Sequence, residues 1–289
     1  MDINKIGIVG AGAMGSGIAQ VCATNGISVA LCDLSQEILD HAMEQIHWSV
    51  SKLFNKGKLT ENIDTIMNRI VFSVDYNAVT NAELIIEAVF EAIEVKHQVL
   101  QSLEGIIRED TIVASNTSAI PITEIAAVTR YPENVIGLHF FNPVPMLKAV
   151  EVIRGISTSD RAFQYGADFV RRIGKEPIMV NRDLAGFILN RINMVSNIEA
   201  MRLVEQGVAT PEDIDRGVRL AFGRKMGIFE TGDLVGLEVS LMAYDNVYRE
   251  ENDLRFYAPA ILRRKVRAGH LGRKAGKGWY QYDPDGNRK

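Results

Sequence analysis

The sequence predicts an α/β protein, with a doubly wound sheet in its first part and an all-helical domain after it. Three observations carry this. Short apolar runs alternate with amphipathic stretches through residues 1–180, the strand signal fades after Phe187, and 289 residues suit two domains better than one. The division falls at residues 1–184 and 185–289.

The first strand is read at residues 6–9, followed by a helix at 13–24 and a second strand at 27–31. Helices at 36–55 and 61–68 come next, then strands at 70–73, 84–88, 111–115, 135–140, 149–153 and 177–180. Helices at 95–107, 123–127 and 160–173 lie between these strands. Such alternation implies parallel strands with crossover helices. Beyond Asp183 the pattern becomes helical, at 186–206, 211–221, 233–250 and 259–268. Thr210, Pro211 and Asp213 mark a helix start: a hydroxyl cap, a proline in the first turn and an acid near the positive dipole end. Met194, Ile198, Met201, Leu203 and Val204 form an apolar stripe that suits core or a subunit interface.

The turn after the first strand holds Gly10, Gly12 and Gly15, with Ala13 and Met14 between them. A strand, this spacing and a following helix form the phosphate-binding turn of a dinucleotide fold. The first glycine allows the tight turn, the second admits a pyrophosphate, and the third lets the helix lie close to the strand. The helix points its N–H groups and positive dipole end at the phosphates. Asp33 ends the second strand 23 residues after Gly10, near the spacing expected of a carboxylate that accepts from ribose hydroxyls. Leu34 and Ser35 follow it, so an adenosine 2′-phosphate would meet a like charge and no cation. NAD is therefore the expected cofactor, rather than NADP.

Composition narrows the remaining classes. Hydrophobic residues make up 47% and charged residues 24%, which is ordinary for a globular protein. The absence of a long apolar run argues against a membrane span, and the early first strand leaves no room for a leader, so a cytoplasmic protein is expected. Cys22 and Cys32 have no metal-ligand spacing and read as small core residues. A net charge of −4, with no basic run in residues 1–250, argues against nucleic acid as the partner. The basic stretch from Arg263 to Lys277 suits a phosphorylated small molecule.

Ligands of such sheets bind outside the carboxyl ends of the strands, and three strand ends carry polar residues. The segment Ser115-Asn116-Thr117-Ser118 closes one; Asn116 and Thr117 read equally well as turn and cap residues. Glu91 and Lys96 follow the 84–88 strand, within reach of a nicotinamide ribose, although ordinary charges at an exposed helix start fit the pattern somewhat better. His139 lies near the end of the 135–140 strand, where an imidazole can exchange a proton with an alcohol or carbonyl while hydride moves. Glu151 lies 12 residues on, and the two can pair if the chain doubles back at 143–146; otherwise Glu151 is a surface strand acid.

Together these motifs resemble the 3-hydroxyacyl-CoA dehydrogenase family, in particular the compact bacterial 3-hydroxybutyryl-CoA dehydrogenases. The resemblance spans nearly the whole chain. It rests on the glycine turn, residues 115–118, His139-Phe140-Phe141-Asn142-Pro143-Val144-Pro145, Gly186-Phe187-Ile188-Leu189-Asn190-Arg191 and Leu271 to Tyr280. It implies a Rossmann-like NAD-binding domain and a helical substrate domain through which two copies pair as a homodimer. It implies reversible NAD-linked oxidation of a short-chain 3-hydroxyacyl-CoA, in fatty acid metabolism. His139 would be the base, Glu151 would orient it, and Ser118 and Asn190 would line the substrate site. Glu91, Lys96, Ser118 and Asn142 would contact the cofactor, and Ser49 and Lys56 the CoA. Ala185, Lys225 and Ile228 depart from the family pattern. They leave open the same chemistry on carnitine, a sugar acid or a carrier-bound acyl group. A non-catalytic NADH-binding regulator would have no need of the serine, histidine and glutamate together.

Overall fold

Among the described residues, eight short runs are strands: β1 (Lys5–Val9), β2 (Ser28–Cys32), β3 (Ile70–Ser73), β4 (Leu84–Glu87), β5 (Ile112–Ser115), β6 (Val135–Phe140), β7 (Ala149–Arg154) and β8 (Glu176–Val180). The computed structural model describes residues 3–289. It divides into two units, Met1–Leu184 and Ala185–Lys289.

All eight strands belong to the first unit and form one sheet in the order β3-β2-β1-β4-β5-β6-β7-β8. β4, β5 and β6 are buried along their whole length, which is why they read as continuous apolar runs. The helices α1 (Ala13–Thr24), α2 (Gln36–Asn55), α3 (Ile63–Met67), α4 (Ile93–Leu103), α5 (Ile122–Ala126) and α6 (Asp160–Arg172) complete this unit. The main core packs Ile18, Leu39, Ile46 and Phe169 against Ile6, Ile8 and Leu138 of the sheet. A second cluster joins Val99 and Leu103 of α4 to Val9, Ala30 and Ile85. Cys22 and Cys32 are both buried thiols, and burial pushes Cys32 up to about 11.

The chain leaves β1 toward β2 on one side and returns as β4 on the other, with all three strands parallel. That reversal opens a crevice at the carboxyl ends of β1 and β4. Parallel pairing is not universal, however. β7 runs antiparallel to β6, because the connection at residues 141–148 holds no helix to carry the chain across the sheet.

The second unit holds α7 (Leu189–Glu205), α8 (Pro211–Phe222), α9 (Ile228–Val235), α10 (Leu237–Glu251) and α11 (Ala260–Arg267). Met194, Ile198 and Met201 of the apolar stripe enter its core beside Phe229, Leu237 and Val247. Thr210 caps α8 by accepting from Asp213 N, with Pro211 in the first turn. The single helix expected at 233–250 is two helices instead. Gly236, at φ +107°, breaks it, and α9 extends N-terminally beyond the expected range. α9 has no ordinary local side-chain cap; Asp215 on α8 accepts from Phe229 N and Glu230 N at 2.9 Å each. A cap that arrives from another helix leaves no local signature. Part of the basic stretch is partnered within this unit: Arg263 with Asp245, Lys274 with Glu238, and Lys265 with the Gly278 carbonyl.

Candidate active site

The glycine turn sits at the crevice. Gly10 has φ +102° and lies against β4, where a Cβ would come within 2.5 Å of the Ala88 carbonyl oxygen. A Cβ on Gly15 would meet the Gly10 carbonyl oxygen at 1.8 Å, while one on Gly12 would meet nothing within 4 Å. Two glycines are thus needed for the fold of the turn, and the third keeps its outer face open. Gly12 and Ala13 are exposed and Met14 half-buried. α1 has no side-chain cap and no acid in its first turn, so its terminal amides face an approaching anion unopposed. Asp33 reaches back to the turn: Oδ2 accepts from Ala11 N at 2.8 Å and Oδ1 from Ser35 N at 3.2 Å. It therefore fixes the turn and keeps acceptor capacity for a ribose hydroxyl. An open anion cradle, an adjacent half-buried carboxylate and an exposed Leu34 fit a dinucleotide without a 2′-phosphate.

The polar exit of β5 ties neighbouring segments together. Ser115 Oγ donates to Glu87 Oε2 at 2.5 Å, and Asn116 Oδ1 accepts from Phe140 N at 3.0 Å. Thr117 Oγ1 donates to Glu91 Oε1 at 2.7 Å. Glu91 Oε1 also accepts from Ser118 N, Ser118 Oγ and Ala119 N at 2.8, 3.1 and 3.0 Å. Lys96 Nζ lies 2.9 and 3.1 Å from the two Glu87 carboxylate oxygens and 3.2 Å from Glu91 Oε2. Burial pushes the Glu91 carboxyl up, but Lys96 and the bonds from Thr117 and Ser118 outweigh it and hold the carboxyl below its usual range. Lys96 is thus a buried cation between two carboxylates, and not an ordinary charge at a helix start. Glu87 escaped the sequence reading, although an acid closing the apolar run Leu84-Ile85-Ile86 was a visible signal.

His139 and Glu151 are direct cross-strand partners in the β6–β7 register. His139 Nδ1 lies 2.7 Å from Glu151 Oε2; the imidazole side chain is 7% exposed and that of Glu151 fully buried. The connection between their strands is the doubling back that the pairing required. A carboxylate at Nδ1 fixes the ring orientation and assigns proton exchange to Nε2. The Phe141 ring packs 4.4 Å from the imidazole, centroid to centroid. Asn142 is exposed at the start of the connection.

A cleft of about 770 Å³ opens between α1, α2 and residues 142–146. Ser49 and Lys56 line it, as do Trp48, Lys52 and Lys58, which the sequence reading passed over. Lys52 Nζ sits 4.5 Å from the Trp48 ring centroid. Trp48, Lys52 and Lys56 share one helical face at intervals of four, a pattern that was legible in the sequence. Asn190 lies in the first turn of α7, within the second unit.

Comparison with known proteins agrees along nearly the whole chain. A family model for the 3-hydroxyacyl-CoA dehydrogenase NAD-binding domain matches residues 5–184, and one for the C-terminal domain of the same family matches residues 186–282. A probable 3-hydroxybutyryl-CoA dehydrogenase of Deinococcus radiodurans is 40% identical over 96% of this chain and 100% of its own length. A 3-hydroxybutyryl-CoA dehydrogenase of Mycobacterium tuberculosis is 36% identical over 97% of this chain and 99% of its own. Among solved structures, the (S)-3-hydroxybutyryl-CoA dehydrogenase of Ralstonia eutropha superimposes with a TM-score of 0.94 at 38% identity, covering 98% of this chain and 100% of that one. The glycine turn, the strand order and the two matched domains lead to one conclusion: the chain belongs to the 3-hydroxyacyl-CoA dehydrogenase family, an NAD-dependent oxidoreductase family.

Proposed function

We propose that the protein interconverts short-chain 3-hydroxyacyl-CoA and 3-ketoacyl-CoA, with the 3-hydroxybutyryl thioester as its substrate. The observation that carries the chemistry is the buried His139–Glu151 pair at 2.7 Å. In the oxidising direction Nε2 of His139 takes the 3-hydroxyl proton as the C3–H bond breaks. Bound NAD would supply the acceptor for that hydrogen and its electron pair. Glu151 carries no proton itself in this step; it orients the ring and stabilises the imidazolium that forms. Ser118 hydrogen-bonds the substrate oxygen, and Asn190 is a substrate residue of the second unit. Gly10, Gly12 and Gly15 cradle the pyrophosphate and Asp33 accepts from the adenosine ribose, while Glu91 and Asn142 hold the nicotinamide end.

The cleft supports a CoA thioester over a smaller hydroxy acid. Lys52, Lys56 and Lys58 offer cations to phosphates, and Trp48 offers a half-open aromatic face for a base. Carnitine and sugar acids carry neither group. The two units serve as cofactor domain and as substrate and dimerisation domain. Exposed Ile192, Leu220, Phe222 and Met242 on the second unit support self-association as a homodimer. Among the described residues no helix is long and apolar enough to cross a membrane; a cytoplasmic place in fatty acid metabolism fits such a substrate. Steady-state rates with NADH against acetoacetyl-CoA, against longer 3-ketoacyl-CoAs and against dehydrocarnitine test the reading. Faster turnover of dehydrocarnitine would overturn it, and light scattering at assay concentration tests the dimer.

A further inference from the structure

We propose that Lys175 is a positioning residue: its buried ammonium latches the connection between β6 and β7 and so shapes the wall that receives the cofactor and the CoA. This rests on the reading that Asn142 and the cleft at 142–146 take those two groups.

The connection has little to hold it by itself. Residues 141–148 form neither helix nor strand, and Pro143 and Pro145 have no N–H to give. Its internal backbone hydrogen bonds run from Met146 N and Leu147 N to one acceptor, the Pro143 carbonyl, at 3.0 and 3.2 Å. Asn142, Pro143, Val144, Pro145 and Met146 all line the cleft. Val144 is buried against α1, where a Cβ on Gly17 would come within 2.9 Å of its own Cβ. Any shift of this segment therefore reshapes the cleft.

Lys175 lies outside the cleft lining and is 7% exposed. Its Nζ donates to the Val144 and Leu147 carbonyls at 2.6 Å each, two acceptors that the turn's own bonds do not use. The backbone of Lys175 is fixed as well. Lys175 N donates to Val170 O of α6 at 3.1 Å, and Glu176 N to Lys148 O at 2.9 Å, beside the Ala149–Glu176 pair that opens the β7–β8 ladder. The latch thus joins the sheet and α6 to the middle and the end of the connection.

A lysine is a costly choice for this place. Burial pushes its ammonium below the ordinary range, and among the described residues its hydrogen-bond acceptors are two uncharged carbonyls. An apolar side chain of the same length would avoid the cost of a buried charge but would leave both carbonyls without that donor. What the cation supplies is two directed bonds to the backbone of the connection. An amino group held in this way acts on bound ligands through the connection, without touching them.

Lys175→Met keeps the length of the stem and removes the donors. Hydrogen exchange read by mass spectrometry should speed up about tenfold in peptides covering residues 141–148 and stay unchanged elsewhere. KM for acetoacetyl-CoA and Kd for NADH should each rise about tenfold. The fall in kcat should be about threefold at most, because His139 and Glu151 are held by the β6–β7 ladder. Leu262→Ala opens a cavity in the core of the second unit and supplies a loss of Tm without touching the connection. It should leave exchange at 141–148 and both binding constants as in wild type. Equal rises of KM in the two variants would reduce Lys175 to a general stabiliser and overturn the proposal. A folded Lys175→Met with wild-type KM and exchange would overturn it too. Should that variant not fold, Lys175→Gln is read in the same way: its shorter amide cannot span both carbonyls, and KM should rise about threefold. Failure of the wild-type protein to turn over acetoacetyl-CoA would refute the substrate reading instead, and the exchange comparison would still judge Lys175.

Discussion

The two working parts of the sheet are built by different means. The glycine turn after β1 is mostly local: a Cβ on Gly15 is excluded by the Gly10 carbonyl within the turn, and only the space at Gly10 is closed from outside, by Ala88 after β4. The His139–Glu151 pair depends on register. Its members are 12 residues apart and meet only because β7 turns back along β6 with those two residues opposite. A slip of one residue would send Glu151 to the other face of the sheet. The backbone device thus draws most of its geometry from a few neighbouring residues and one strand contact, whereas the side-chain device depends wholly on strand register.

The comparison can be broken first at the imidazole. His139→Gln is expected to lower kcat by about 10³-fold or more, with NADH affinity unchanged, because only the proton acceptor is lost. Stopped-flow or steady-state rates beside an NADH titration check this, and retention of most activity would sink the role of His139. Glu151→Gln leaves the base in place but removes the charge that stabilises the imidazolium and lets an amide N–H face Nδ1. A loss of about 10²-fold in kcat is expected, again without loss of NADH.

Gly15→Ala should do the reverse. A Cβ at 1.8 Å from the Gly10 oxygen forces α1 away from the turn. Overpacking of this kind costs about 1–3 kcal/mol, so NADH should weaken roughly tenfold or more. The kcat at saturating NADH should move far less. Equal losses of kcat in the glycine and histidine variants would mean that the two parts are not separable.

The smallest effect sharpens the boundary between the parts. Glu91 has a folded-state pKa below its ordinary value of 4.5, despite the burial that opposes this, because Lys96 and the bonds from Thr117 and Ser118 favour its charged form. Its contribution to stability is full above the ordinary value and is lost as pH falls through the depressed one. Urea melts of wild type from pH 6 downward should therefore lose stability below about pH 4.5 more steeply than melts of Glu91→Gln. Parallel curves for the two would remove Glu91 from the acid response.

Legibility followed the same division. The glycine turn, Asp33, the helix start at Thr210 and the central strands were readable because each is fixed by residue types close in sequence. His139 and Glu151 were readable as candidates, but their pairing hung on a reversal that no local signal required. The start of α9 was missed because it takes its cap from Asp215, on another helix. Glu87 was missed because an acid at a strand end gains meaning only when a lysine from a later helix folds over it.

The sequence by itself determined the element types, the dinucleotide turn, the preference against a 2′-phosphate and the identities of the candidate groups. These depend on backbone sterics, side-chain periodicity and formal charge, which act over a few residues. Only the tertiary structure decided which carboxylate meets which cation or imidazole, that β7 is antiparallel, and that Lys96 is buried between Glu87 and Glu91. Such pairings form between segments distant in sequence, and burial makes them strong only once the sheet and its helices have closed around them.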